Sequence, residues 1–304
     1  MSLLQSSDGT RWRAEYRPCP ACNSARARII GPRGGRAHRE EKGVETQVVR
    51  CRDCGVFYTD PTLIPVSNPY AKESAAEYFH LHDSRKKVLH GEMLAAFAEK
   101  ILGNSGKMLE LGCGRGELLK GAASRGWEVR GVEMTEDFAA VARSSGIDVE
   151  CSAIEGCKSL DQVYDVVLLA AILEHLYDPL QTLKRVRDAL RPGGLVFIDV
   201  PNELSLTMRI GNIYMRARGR RWSINLSPTF SPFHVVGFSP TSLRQTLTAV
   251  GFRVHTLVVP KWNNDLPQGK TINQKLERTA LSLVQSIGER LGMGDGITCW
   301  AVKE

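Results

Sequence analysis

Cysteines stand in two short pairs near the start of the chain, Cys19-Pro20-Ala21-Cys22 and Cys51-Arg52-Asp53-Cys54, with 28 residues between them. A pair spaced this way can wrap two thiolates around one side of a tetrahedral ion, and two pairs complete the four-sulfur set that holds structural zinc. Such a site has no open position, so its expected contribution is to folding and not to chemistry. The gap is longer than usual for a zinc ribbon but accommodates a hairpin with a loose tip at Gly31–Gly43. Redox dithiols and coincidental cysteines are the competing readings. Cys113, Cys151, Cys157 and Cys299 are scattered and read as small core residues.

A second constellation is Leu109-Glu110-Leu111-Gly112-Cys113-Gly114-Arg115-Gly116. Glycines here permit a tight turn and close approach of backbone to a ligand, and a following helix offers free N–H groups. Alone, the pattern serves a dinucleotide site or a plain turn equally well. Its neighbours narrow the choice. Glu110, two residues before the first glycine, suits the ammonium of an amino-acid ligand and would repel a pyrophosphate. Glu133 falls where the next strand ends and can accept from both hydroxyls of a ribose.

These groups need a scaffold, and the hydrophobic pattern supplies one. Strands are predicted at Lys107–Leu111, Glu128–Val132, Asp148–Cys151, Tyr164–Ala170 and Leu195–Val200, with helices near 116–125, 135–145 and 178–190 between them. Strict alternation of strand and helix implies βαβ units and a mainly parallel sheet. Leu89, Met93, Phe97 and Ile101 place an amphipathic helix over 84–102. A helix at Pro240–Val250 and strands Phe252–Val259 and Ile297–Val302 close the pattern. The fold class is therefore α/β: a Rossmann-like, doubly wound, seven-stranded sheet with a small zinc-ribbon-like module in front. The expected division is a zinc module over 13–60, a proline-rich linker over 61–83, and the main domain over 84–304 with insertions at 201–238 and 260–296. Ile272, Leu276, Leu283, Ile287 and Leu291 fall near one helix face and predict packing or a dimer contact.

In order, the glycine loop, the acid after strand two, Leu173-Glu174-His175-Leu176 and Leu190-Arg191-Pro192-Gly193-Gly194 resemble class I S-adenosylmethionine methyltransferases, in the group that includes the ubiquinone-pathway O-methyltransferases. The resemblance covers residues 84–304. It implies S-adenosylmethionine as cofactor, with Glu110, Gly112, Cys113, Gly114 and Gly116 around its methionine part. Glu133 is then on the ribose with Met134 beside the ring, and Ala153, Ile154, Ala170 and Ala171 are on the adenine side. A paired-cysteine module ahead of this domain is similar to that of nucleotide-sugar C-methyltransferases, which carry a further C-terminal domain with no counterpart here.

A sulfonium methyl is already activated, so the acceptor side must align an in-line transfer and supply a base, for which histidine is best matched near neutrality. His234 in Ser231-Pro232-Phe233-His234 matches the base of the sugar enzymes, although Ser231 and Phe233 stand where their tyrosine and glutamate would be. His175 is the second candidate; His38, His80, His82, His90 and His255 have no such context. Arg209, Arg216, Arg218, Arg220 and Arg221, with Tyr214 and Trp222, lie in a stretch over 204–225 that has no acid. Guanidinium groups suit a phosphate-bearing acceptor; a nucleic acid, a membrane surface and a merely solvated basic loop are the alternatives.

The net charge of +7 agrees with an acidic partner. The absence of an apolar leader or a long apolar run predicts a cytoplasmic protein without a transmembrane segment. The expected activity is methyl transfer to a small-molecule acceptor: a sugar, glycolipid or secondary metabolite. An RNA or protein methyltransferase, which would use the zinc module and arginines to grip the polymer, is the alternative. Against the RNA reading, Ala171-Ile172-Leu173-Glu174 replaces the Asn/Asp-Pro-Pro-Tyr/Phe of amine-methylating RNA enzymes. A third reading is a scaffold protein that keeps the cofactor fold without transfer.

Overall fold

The computed structural model describes residues 3–67, 84–262 and 272–304. His80, His82, most of the expected linker, and residues 263–271 of the second insertion lie outside them. Strands β1 (Leu3–Gln5), β2 (Arg11–Glu15) and β6 (Thr62–Pro65) form one small sheet in the order β1-β2-β6; β3 (Ala27–Arg33), β4 (Thr46–Cys51) and β5 (Phe57–Thr59) form another. Strand β6 occupies a stretch expected to be irregular. Pro65 is tolerated because β6 is an edge strand, paired only with β2.

The main domain runs α1 (Ser84–Leu102), β7 (Lys107–Leu111), α2 (Glu117–Ala123), β8 (Glu128–Glu133), α3 (Glu136–Ser144), β9 (Asp148–Cys151), β10 (Tyr164–Ala170), α4 (Pro179–Ala189), β11 (Leu190–Pro201), α5 (Leu206–Ala217), α6 (Pro240–Val250), β12 (Phe252–Val258), α7 (Ile272–Arg290) and β13 (Gly296–Lys303). Its seven strands lie in the order β12-β13-β11-β10-β7-β8-β9, parallel except for β13, which pairs antiparallel with both β11 and β12. The order reverses between β7 and β10, and the crevice beyond the carboxyl ends of those strands is where such sheets take ligands. Val166, Val167, Leu168 and Leu169 of β10 are buried on both faces, as a central parallel strand requires.

Two elements differ from the pattern. Strand β11 begins at Leu190 because Leu190 pairs with Tyr164, and the Arg191-Pro192-Gly193-Gly194 segment is accommodated as an irregularity before regular pairing resumes at Val166 and Leu195. On α1, Leu89 and Met93 are exposed, and the buried face is Gly91, Leu94, Ala95 and Ala98. The cause is close backbone approach: a Cβ on Gly91 would lie 2.1 Å from the Leu118 carbonyl, and one on Gly121 equally close to that of Val88. Small residues, not the leucine and methionine, set the α1–α2 contact.

The N-terminal strands do not hang on a tether. Phe57 and Gly237 exchange both backbone hydrogen bonds, the Tyr177 hydroxyl donates to the Leu63 carbonyl, and the Ser223 amide donates to that of Pro32. The β3–β4 tip is docked too: the Val44 amide donates to the Thr229 hydroxyl, which donates in turn to the Val44 carbonyl. Cys19, Cys51 and Cys54 belong to the same buried cluster as Leu109 and Leu169. On α7, Leu276, Leu283 and Ile287 are exposed, as is Leu291 just beyond it, so the described residues of this chain do not cover that face. Among the described residues no helix is long and apolar enough to cross a membrane.

Candidate active site and cysteine cluster

The loop after β7 owes its shape to three left-handed glycines, Gly112, Gly114 and Gly116, with φ of 70°, 54° and 73°. Space is short at Gly112 too: the Ile172 side chain reaches to 2.1 Å from where a Cβ would stand and would have to move. The Gly112 and Cys113 amides donate to the Val132 carbonyl, tying the loop to β8. Cys113 turns its side chain into the core against Gly131 and leaves only backbone to face the crevice.

Glu133, at the end of β8, accepts from the Gly114 amide at 3.0 Å and the Thr135 amide at 2.8 Å. Those bonds fix both carboxylate oxygens at the mouth of the glycine loop and leave further lone pairs for a ligand's hydroxyls. Met134 and Ala153 are exposed beside it, and Ile154 is half-buried. Ala170 closes β10, and the exposed Ala171 takes a left-handed φ of 55°. The expected cofactor residues thus converge on the carboxyl ends of β7, β8, β9 and β10.

Beneath the loop, Glu110 is 4% exposed, and its Oε2 has no hydrogen-bond partner. Burial pushes its carboxyl well above the usual range, with Lys87 opposing and Glu117 and Glu133 adding to the rise. A buried, unsatisfied carboxylate oxygen facing a glycine loop fits a ligand ammonium.

One strand over, Glu174, His175 and His234 come together. The Glu174 carbonyl accepts from both the Val235 and Val236 amides, and the Ser227 hydroxyl accepts from the His234 amide. These bonds clamp the 227–238 loop onto the end of β10. His175 and His234 stack edge to face with ring centroids 4.9 Å apart. Their Nε2 atoms lie 3.8 and 3.9 Å from Glu174 Oε1. His175 Nδ1 is 3.3 Å from the Phe233 carbonyl. Glu174 is pushed up to about 8 by burial and by the nearby charges of Asp199 and Glu203. His175 is pushed down to about 4 by burial, against the Phe233 and Pro232 carbonyls; His234 falls to about 3 through burial and His175. Sequence reasoning paired the two histidines as candidates but passed over Glu174. Its only signal was adjacency to His175.

The four paired cysteines also converge. Cys19 and Cys54 sulfurs are 3.5 Å apart, those of Cys22 and Cys51 3.6 Å, and all four lie within 4.8 Å of one another. A zinc–sulfur bond of about 2.3 Å implies tetrahedral edges of roughly 3.8 Å, which this set approaches. Backbone groups of Ala21, Ser24 and Val56 bond to Cys19, Cys22 and Cys54 in the sense that favours thiolates. The donor set fits zinc. The arginines of the first insertion (Arg209, Arg216, Arg218, Arg220, Arg221) are all exposed, with Arg220 stacked 4.3 Å over the Trp222 ring.

Residues 82–257 match the family model of a methyltransferase domain. The chain is 40% identical over 103 residues to the ubiquinone biosynthesis O-methyltransferase of Idiomarina loihiensis, covering 32% of this chain and 42% of that protein. Against the enzyme of the same name from Aeromonas salmonicida the identity is 34% over 119 residues, 36% and 50% of the two chains. The chain therefore spans about half the length of these curated relatives. Among solved structures, the plantazolicin methyltransferase BpumL in complex with SAH superposes with a TM-score of 0.52 at 16% identity, over 78% of this chain and 91% of that one; that likeness is one of fold.

Proposed function

Because the chain belongs to the class I S-adenosylmethionine-dependent methyltransferases, we propose that it transfers the cofactor's methyl group to an oxygen or carbon of a small-molecule acceptor: a sugar, glycolipid or secondary metabolite. One observation carries the reading. A glycine loop over an unsatisfied buried carboxylate (Glu110), a fixed ribose-type acid (Glu133) and a Glu174–His175–His234 trio share the carboxyl edge of adjacent strands.

Bound S-adenosylmethionine supplies a methyl group on a positively charged sulfur. Glu110 holds the ammonium of its methionine part, Glu133 the ribose hydroxyls, and the backbone of the glycine loop passes between them. Met134, Ala153, Ile154, Ala170 and Ala171 border adenine. The trio, with side chains of both histidines 21% exposed and Glu174 closed off beneath them, receives the acceptor. The exposed arginines of 209–221 support an acceptor bearing phosphate. Cys19, Cys22, Cys51 and Cys54 hold zinc away from the chemistry.

Calorimetry with S-adenosylmethionine tests the first half of the proposal. Glu133→Ala is expected to weaken binding by about 1–3 kcal/mol, the range for losing charge-assisted hydrogen bonds, and unchanged affinity would overturn the assignment. Screening nucleotide sugars and glycolipids for methyl uptake then identifies the acceptor. On that acceptor, His234→Ala is expected to cut turnover on the order of a hundredfold while sparing cofactor affinity.

A further inference from the structure

We propose that Glu174, His175 and His234 form a binding site for a divalent first-row transition metal ion, distinct from the cysteine cluster. The proposal rests on the acceptor-side reading above and specifies how that side works. Three facts of geometry carry it. First, two imidazoles and one carboxylate offer ligand atoms within 4.8 Å of one another, the two-histidine, one-carboxylate set that binds such ions on one face and leaves positions open. Bonds of about 2.1 Å to one ion require roughly 3.0–3.4 Å between ligand atoms, so on binding the two legs to Glu174, 3.8 and 3.9 Å, close by roughly 0.4–0.9 Å, and the histidine–histidine leg closes from at most 4.8 Å.

Second, the site is oriented as metal sites are. A carbonyl only accepts, so the bond between His175 Nδ1 and the Phe233 carbonyl keeps the ring proton on Nδ1 and turns the Nε2 lone pair towards Glu174. Third, Glu174 is 2% exposed, and its Oε2 has no hydrogen-bond partner. A buried carboxyl oxygen left without a partner and faced by a lone pair suits a cation between them.

The open positions suit an acceptor hydroxyl. Coordination acidifies it, its proton leaves to water, and the oxygen's electron pair forms the bond to the methyl carbon. The carbon–sulfur bond breaks with its pair remaining on sulfur, so the positive sulfonium and the negative oxygen are both neutralised.

The test titrates the full chain, with zinc already in the cysteine cluster, with cobalt(II) in the absence of cofactor and acceptor. About one cobalt per chain is expected beyond the zinc, as a single three-ligand site requires. Its visible spectrum should show weak nitrogen- and oxygen-type bands without thiolate charge transfer. Glu174→Gln and, separately, His234→Ala should weaken cobalt binding by tenfold or more while zinc content stays unchanged. His234 is partly exposed, so its variant keeps the test informative should the buried Glu174→Gln fold poorly. No cobalt beyond the thiolate signature, or uptake untouched by His234→Ala, overturns the proposal. Neither readout involves methyl transfer, so the proposed activity stands or falls separately.

Discussion

At the scale of single residues, the positions legible in the sequence are those whose chemistry is local. Glu110 and Glu133 are fixed by their distance along the chain from Gly112, and the fold leaves them where that spacing put them. Cys113 shows the limit: its place in the loop is local, but the direction of its side chain is set by the space at Gly131 on another strand. Glu174 was missed for the same reason. Next to His234 the sequence lacks a carboxylate, and the fold supplies one from the end of β10. Glu110 carries a prediction of its own. Burial raises its folded pKa, so between the unfolded value and the folded one the native state binds the extra proton, and stability falls as pH rises through that window. Glu110→Gln removes that cost and is expected to raise the unfolding temperature at pH 8 relative to wild type. The same change should weaken S-adenosylmethionine binding tenfold or more, about 1.4 kcal/mol or above, because the ammonium loses its partner. Wild-type binding should release a proton, visible as a buffer-dependent calorimetric enthalpy that the variant lacks. A variant that is destabilised at pH 8 and binds normally would show that Glu110 serves the core and not the cofactor.

At the scale of elements, the strands of the large sheet and the helices between them followed from periodicity, and the parallel order from their alternation, whereas α5, inside the first insertion, was not read from it. What periodicity misassigned was the buried face of α1, because a helical repeat of large apolar side chains singles out Leu89 and Met93 and passes over glycine and alanine. The packing instead weighs how closely two backbones can approach. Gly91→Val is therefore expected to destabilise the protein by roughly 1–3 kcal/mol or more by forcing α1 off α2, whereas Met93→Ser should stay within about 0.5 kcal/mol. Denaturant unfolding of the two variants reads this directly, and a costlier Met93→Ser would restore the periodicity-based face. Exposed Leu276, Leu283 and Ile287 on α7 are the same lesson reversed: apolar residues at helical spacing state that a face exists, not that this chain covers it.

At the scale of the molecule, the sequence separates a cysteine module from a catalytic domain, and the structure joins them at several points, one of which leads directly to His234. Cys51 and Cys54 close a knuckle that leads directly into β5, and Phe57 of β5 exchanges backbone hydrogen bonds with Gly237, three residues from His234. Trp12 reaches the same loop, its ring 6.3 Å from that of Phe233. No local pattern announces such a pairing, since its partners are far apart in the chain and neither has a chemical signature. A metal held by the four cysteines would therefore act on the loop that carries His234 through this pairing. The glycine loop and Glu133, by contrast, hang on β7 and β8 and are tied by bonds within the main domain. Removing zinc by chelation, or by Cys51→Ser, should release the knuckle, free β5, and let the 227–238 loop shift. Because a misplacement on the order of 1 Å can cost about a hundredfold in rate, turnover on the identified acceptor should fall at least tenfold, while calorimetric affinity for S-adenosylmethionine changes little. The unfolding temperature should drop in the same samples, since Cys19, Cys51 and Cys54 share a buried cluster with residues of β7 and β10. Full turnover after complete zinc loss would mean that the loop is held by its own bonds to Glu174 and Ser227, and that the module serves some other end.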